Sequence, residues 1–247
     1  MSVIEKAKNK LKSDGYVIIE GFFLKTKEYK NFKRFLSRFI KFGLNNEKNK
    51  IINIDKFLSL KFKKDKKISA FLNDYVNLSP YLSSLFTSDK LTFFLSKILE
   101  ETKDKIILNN QRFRIQIPGN DEIANLPWHQ DIAYNTIKDT KSIVAWVSLG
   151  NISEDMGPII FKKGSHKFGI QKQIKFKKSN GGTAVKIDLN NVNLKDLIDI
   201  QLKTLSGDLI LIDMNTVHTS GINRTKDKVK YSAQARYHVV RQHWKSN

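Results

Sequence analysis

Ile106-Ile107-Leu108-Asn109-Asn110-Gln111-Arg112-Phe113-Arg114-Ile115-Gln116 is where the texture of this 247-residue chain changes. Downstream of Lys105 the chain breaks into short β-prone runs separated by turn residues: Ile106 to Gln116, Ser142 to Leu149, Pro158 to Phe161, Thr183 to Ile187, Ile198 to Leu202, Leu209 to Ile212 and Val229 to Val240. Many short strands punctuated in this way are the pattern of a sandwich or barrel. Their spacing is irregular, and no repeat or Gly/Ser/Pro-rich linker divides the chain. The expectation is one α+β domain over residues 1–247, with a mostly helical front (1–104) packed on a double-sheet β core (105–241).

Upstream, helical spacing dominates. Val3 to Leu11 is a short amphipathic segment, Asp14-Gly15 a turn and Tyr16 to Ile19 a compact β-prone run. Tyr29, Phe32, Phe35, Leu36 and Phe39 recur on one helical face, which predicts a helix over about 26–40. Ser79-Pro80 and Ser88-Asp89 read as two further helix starts. Asn45 to Lys67, dense in Lys, Asn and Ile, carries no decisive periodicity.

The composition narrows the chemistry. With 40% hydrophobic and 11% aromatic residues a buried core is assured. There is no cysteine, so disulfides, thiolate metal sites and cysteine nucleophiles are excluded, and any metal must be held by His and carboxylate. No segment reads as a signal peptide or membrane span, so a cytoplasmic protein without a membrane partner is expected. The net charge of +20 suggests polyanions. However, only seven of the 44 basic residues are Arg (Arg34, Arg38, Arg112, Arg114, Arg224, Arg236, Arg241), and the Lys excess is scattered. A solvated basic surface is the simpler reading, with a small-molecule substrate and a monomeric or homodimeric state.

Leu126-Pro127-Trp128-His129-Gln130-Asp131 carries the chemistry. Two apart on a strand, His129 and Asp131 present an imidazole and a carboxylate to one face. A facial triad of two His and one carboxylate leaves open positions for oxygen chemistry at Fe(II). His218 is the best third ligand: it follows the apolar run Leu209 to Ile212, 89 positions beyond His129. A lone H-x-D triplet is common, so its surroundings decide its meaning. His238 and His243 read as surface or partly buried groups, and His166 as a loop residue or, less simply, a zinc-type ligand.

With these residues aligned, the chain resembles the phytanoyl-CoA dioxygenase family over most of its length. Asp14-Gly15-Tyr16-Val17 with Gly21-Phe22 is similar to its opening strand. Trp128 to Asp131 matches its W-H-Q-D, and Ala145 to Leu149 the strand bearing its tryptophan. Met156-Gly157-Pro158 and Lys163-Gly164-Ser165-His166 resemble its N-G-P and P-G-S-H turns, with Met156 and Lys163 as departures. Gly207-Asp208, His218-Thr219-Ser220-Gly221 with Asn223-Arg224, and Val229 to Tyr237 resemble its distal segments.

The resemblance implies a jelly-roll (double-stranded β-helix, cupin-like) core, Fe(II) at His129, Asp131 and His218, O2, and 2-oxoglutarate as co-substrate. It also implies co-substrate contacts at Gln111, Gln130, Trp146 and Ser220, although Trp146 reads equally well as core. Where the family places the arginine that grips the distal carboxylate of 2-oxoglutarate, this chain has Lys230, a point charge without the two-pronged fork. Arg236, six residues on and on the same strand face, is the fallback anchor. Halogenating relatives replace the carboxylate that Asp131 retains, so the implied reaction is hydroxylation with release of succinate and CO2. Arg112, Arg114 and Gln116 share one strand face, and Arg112, Arg114 and Tyr134 are candidate contacts for an anionic substrate. Two other readings stay open: a non-catalytic cupin-like or carbohydrate-binding module, and an oxygenase directed at nucleic acid.

Overall fold

The fold is shown here as a computed structural model that describes residues 1–43, 54–119, 125–134, 141–178, 183–189 and 192–240. Alternating side chains give its main sheet two unlike faces, and each face has its own core. The sheet is antiparallel throughout, in the order β1 (Tyr16–Ile19), β8 (Leu209–Asp213), β3 (Ser142–Ser148), β10 (Lys230–Val239), β2 (Ile106–Gln116). The remaining strands form two separate sheets, one of β4 (Ile159–Lys162), β7 (Asp199–Gln201) and β9 (His218–Ser220) and one of β5 (Gln173–Lys177) and β6 (Thr183–Ile187).

One face carries Val17, Phe113, Ile115, Ala145, Val147, Leu209, Leu211, Ala233 and Tyr237 into a core shared with the helices. Those helices are α1 (Val3–Asp14), α2 (Lys27–Gly43), α3 (Ile54–Lys64), α4 (Lys66–Asn77), α5 (Pro80–Phe86) and α6 (Asp89–Leu99). The opposite face carries Tyr16, Val144, Trp146, Ile210 and Ile212 against Ile159 and Phe161 of the smaller sheet, β7-β4-β9. That smaller sheet continues through a bridge between His218 and His129, and the backbone N–H of Ile187 on β6 donates to the Trp128 carbonyl at 2.8 Å. Two sheets face each other, and helices α1 to α6 cover only one of them.

Local chemistry fixes the ends of these elements. Ser2 caps α1 by accepting from the Glu5 N–H, and Gly15 ends it at φ +86°. A Cβ at Gly15 would lie 2.4 Å from Thr216 Oγ1, so only glycine fits between α1 and the loop preceding His218. The Gly15 carbonyl in turn accepts from Asp213 N and from Thr216 Oγ1, both at 2.8 Å. At the edge strand β2, Asn77 at the end of α4 accepts the Phe113 N–H, which covers a free strand edge.

The expected strands are present, with small shifts: Pro158 to Phe161 becomes 159–162, and Ile198 to Leu202 becomes 199–201. The stretch without decisive periodicity divides. Residues 45–53 lie outside the described residues, and the remainder forms α3 and the start of α4. No described helix is long and apolar enough to cross a membrane.

Candidate metal centre

His129 and His218 face each other across the antiparallel bridge. Each backbone N–H donates to the other's carbonyl at 3.0 Å, and the ring centroids stand 4.3 Å apart. Asp131 is not on a strand, as the H-x-D spacing suggested. It opens a 3-10 turn, 131–134, which swings its carboxylate back beside the two rings. Nitrogen and oxygen atoms of the three residues lie within 4.8 Å of one another, and all three side chains are buried.

Each imidazole is oriented by its own backbone. His129 Nδ1 lies 2.7 Å from the Pro127 carbonyl, and His218 Nδ1 lies 2.9 Å from that of Thr216. A carbonyl can only accept, so Nδ1 carries the proton in both rings and the Nε2 lone pairs are left for a ligand. Burial, and after it the nearby His218, pushes the His129 pKa down to about 3, which keeps that ring neutral and able to ligate.

Asp131 is divided between two tasks. Its Oδ1 accepts from Nε of Arg236 at 3.0 Å and from the same guanidinium's Nη2. Its Oδ2, 3.6 Å from His218 Nε2, is buried without a hydrogen-bond partner. Burial alone would raise the Asp131 pKa; Arg236, followed by the two histidines, overcomes it and holds the carboxyl below the usual range. A buried, charged, unpartnered oxygen is costly unless something else binds there. Two imidazole nitrogens and one carboxylate oxygen suit a divalent first-row metal, so the residues fit the ion expected of them.

Beside the triad lies a cavity walled by Leu126, Trp146, Ile159, Ser220, Gln234 and Lys230, with Arg114, Gln116 and Ser232 completing it. Lys230 is buried at its edge, and its ammonium donates to the Gly157 carbonyl. It makes no ion pair among the described residues. Burial, with a smaller push from Arg114, lowers its pKa to about 7.

The structure brings Trp146, Ser220 and Lys230 to this cavity and sends three other candidates elsewhere. Gln111 points to the helical face, where its amide donates to the Asn77 carbonyl and to Ser83 Oγ. Strand parity explains this: Gln111 alternates with Arg112 and shares the face of Phe113. Gln130 is turned away from the metal site, donating to the carbonyls of Gly169 and Asn215 and accepting from the Gln171 N–H. Arg236 is bound to Asp131 rather than free to grip a co-substrate. His238 is fully buried on β10 and bonded to Asn109, not a surface group, while His243 and Arg241 lie outside the described residues. His166 sits in the 3-10 turn 165–168 with Nε2 near the Lys12 carbonyl, away from the triad. Sequence reasoning missed Ser232 and Gln234, although period-two alternation from Lys230 would have placed both on the cavity face.

A model of the phytanoyl-CoA dioxygenase family matches residues 11–230. Comparison with curated protein sequences gave no significant match. Similar solved structures include the epimerase SnoN in complex with Fe3+, α-ketoglutarate and nogalamycin RO, at 17% identity and a TM-score of 0.66 over 96% of this chain and 83% of that one. EctD from S. alaskensis with 2-oxoglutarate and 5-hydroxyectoine aligns at 17% identity and 0.65, over 97% and 77%. The carbocyclase SnoK from nogalamycin biosynthesis aligns at 15% and 0.64, over 97% and 84%. At such identities the likeness establishes the jelly-roll fold.

Proposed function

This chain belongs to the phytanoyl-CoA dioxygenase family, and from that premise we propose that it is an Fe(II)- and 2-oxoglutarate-dependent oxygenase that hydroxylates a small metabolite. The observation that carries the reading is the convergence of His129, His218 and Asp131 around the unpartnered Asp131 Oδ2. Structural neighbours with Fe3+ and α-ketoglutarate, or with 2-oxoglutarate, support the cofactor assignment. Such a centre, when loaded, supplies an oxidant that removes hydrogen from a substrate while 2-oxoglutarate is converted to succinate and CO2.

The chain's own residues supply placement. The paired carbonyls of Pro127 and Thr216 fix both imidazoles with Nε2 toward the ion, and Arg236 fixes Asp131 with Oδ2 toward it. Lys230 offers a buried ammonium for the distal carboxylate of 2-oxoglutarate, exchanging its bond to a neutral carbonyl for an ion pair. Trp146, Ile159 and Leu126 give that pocket apolar walls, which exclude water and strengthen the pairing. Ser220, at the rim, offers a hydroxyl to an oxygen of the bound diacid. Retention of the Asp131 carboxylate favours oxygen transfer over halogenation. The epimerase and carbocyclase neighbours show that this fold accommodates other oxidative outcomes, which the substrate's pose decides.

The test is an anaerobic titration of the protein with Fe(II) and 2-oxoglutarate, reading the metal-to-ligand charge-transfer band. The band should form with the unmodified protein, vanish in His129→Ala and His218→Ala, and need much more 2-oxoglutarate in Lys230→Ala. An unmodified protein that binds Fe(II) and shows no band would refute the proposal.

A further inference from the structure

β2 presents two arginines, Arg112 and Arg114, to the inner face of the main sheet, while Phe113 and Ile115 between and beyond them enter the helical core. Among the described residues neither arginine makes an ion pair or a side-chain hydrogen bond, and Nε of Arg114 is buried with no partner. Burial, and the like charge of Arg236 after it, act against the Arg114 cation, and the Asp131 carboxylate only partly offsets them. A buried Arg114 Nε without a partner is costly, and the solvent-exposed guanidinium of Arg112 stands beside it on the same strand face. A site that awaits an anion explains it.

Arg114 also stands at a junction. It lines the metal cavity and, with Arg112, a second cavity of about 490 Å3 that Tyr134 and Asn110 also line. Leu126, Tyr134, Lys178 and Thr183 border this outer cavity, and they flank the three connections 119–125, 134–141 and 168–182 that separate the catalytic motifs. Arg236 borders it too but is committed to Asp131, and Asp74 is the one carboxylate among its described lining residues.

The register separates this cavity from the co-substrate end. Gln116 pairs with Lys230, Arg114 with Ser232 and Arg112 with Gln234. Four residues along a strand span about 13 Å, so Arg112 lies well beyond the row that Lys230 occupies. The sheet therefore displays two anion-ready positions, and Asp131 is held by Arg236 in the next inner-face row beyond Arg112.

Resting on the oxygenase reading above, we propose that Arg112 and Arg114 bind an oxyanion of the substrate, a carboxylate or a phosphate ester, and so hold the rest of the molecule across Tyr134 toward the metal. Planar guanidinium forks suit either group, whereas a lysine at these positions would supply charge without direction.

The experiment uses the whole protein loaded anaerobically with Fe(II) and saturating 2-oxoglutarate, so that Lys230 is already engaged. Inorganic phosphate, butyrate and the neutral butyramide are titrated by calorimetry, with the charge-transfer band as a second readout. At least one anion should bind and perturb the band while butyramide does neither, and the stronger of phosphate and butyrate identifies the substrate's group. Arg112→Gln, at an exposed position where folding is not at issue, and Arg114→Gln should each weaken that binding by about tenfold or more. The surface control Lys30→Gln should leave it unchanged. Equal binding in the variants and the parent would overturn the proposal, as would an Arg114→Gln protein that loses affinity for 2-oxoglutarate itself. Absence of the band in the unmodified protein would instead indict the oxygenase reading, because the calorimetric comparison does not depend on it.

Discussion

Arg236→Met separates the metal-free protein from the loaded one. The Arg236 and Asp131 side chains are 6% and 2% exposed, so their ion pair is not screened by solvent. Methionine keeps much of the arginine's stem, which leaves loss of the charge as the main change. Removing one partner of a buried pair costs about 3–5 kcal/mol, because the other charge stays buried and uncompensated. For a chain of this size each kcal/mol moves Tm by about 2–4 °C, so the metal-free variant should melt roughly 6–20 °C below the parent. A divalent ion at Asp131 stabilises either protein by roughly 2.7 kcal/mol at about 100 times that protein's own Kd. The variant, whose carboxylate is no longer held in direction, should need Mn(II) at concentrations about 10–100-fold higher than the parent, so at a shared saturating concentration the gap should widen by about 1.4–2.7 kcal/mol. The double variant Asp131→Asn/Arg236→Met should lose less than the sum of the single losses. Calorimetric melting with and without Mn(II) reads all of this. A metal-free Arg236→Met protein melting within about 2 °C of the parent, and binding Mn(II) equally well, would show that the guanidinium does not hold the carboxylate.

Three other perturbations test separate parts of the site. Burial holds Lys230 near pKa about 7, so between there and the ordinary lysine value the unfolded chain binds a proton that the native one lacks. Stability from this residue accordingly rises with pH across that window, and Lys230→Met should flatten the rise in Tm from pH 7 to 10. Affinity for 2-oxoglutarate, which needs the ammonium, should move the other way and fall up to about tenfold per pH unit above that pKa; a flat titration of both would contradict the assignment. Gly157→Ala puts a Cβ 2.4 Å from the Gly221 carbonyl and 2.8 Å from Asn223 N at φ +68°. It should cost on the order of 2 kcal/mol in urea denaturation and weaken 2-oxoglutarate binding by displacing the carbonyl that Lys230 uses. Gln130→Leu strips partners from the backbone groups of Gly169, Gln171 and Asn215, at about 1–3 kcal/mol for a buried group left unpaired. It should destabilise the fold while leaving the Mn(II) Kd unchanged, and the reverse result would return Gln130 to the co-substrate pocket.

Much of the motif content turns out to build the frame rather than touch the chemistry. Gly207-Asp208 anchors the start of the chain: Asp208 accepts from the N–H groups of Gly21 and Leu205. A Cβ on Gly207 would meet Leu24 N at 2.9 Å. Ser165 accepts the Val217 N–H and so fixes the strand entering His218. Asn223 is wholly buried, donating to the carbonyls of Gln116 and Lys228. Sequence periodicity placed these residues near turns and strand ends, yet their partners lie far along the chain, and pattern alone does not name a partner. The same holds for α3 and α4, whose lysine-rich faces dilute the helical period while Leu58, Phe62, Leu72 and Val76 still reach the core.

The division of labour between Lys230 and Arg236 shows where such reading stops. Alternation correctly puts both on the inner face of β10, because six residues is an even step. It is silent on distance: six residues along a strand is about 20 Å, so two cations on one face cannot serve the same carboxylate. The register then decides, since Arg236 lies opposite Val144 and reaches the 3-10 turn bearing Asp131, while Lys230 lies opposite Gln116 and reaches the Gly157 turn. On the proposed reading, a lysine at the co-substrate end is tolerable because its pocket supplies a carbonyl to hold the ammonium until a carboxylate arrives. A lysine at position 236 would not be, because Nε and Nη2 together fix the direction of Asp131 Oδ1, and so the direction in which Oδ2 is left open. The arginine is therefore required where geometry must be imposed on a metal ligand, and dispensable where only charge must be supplied.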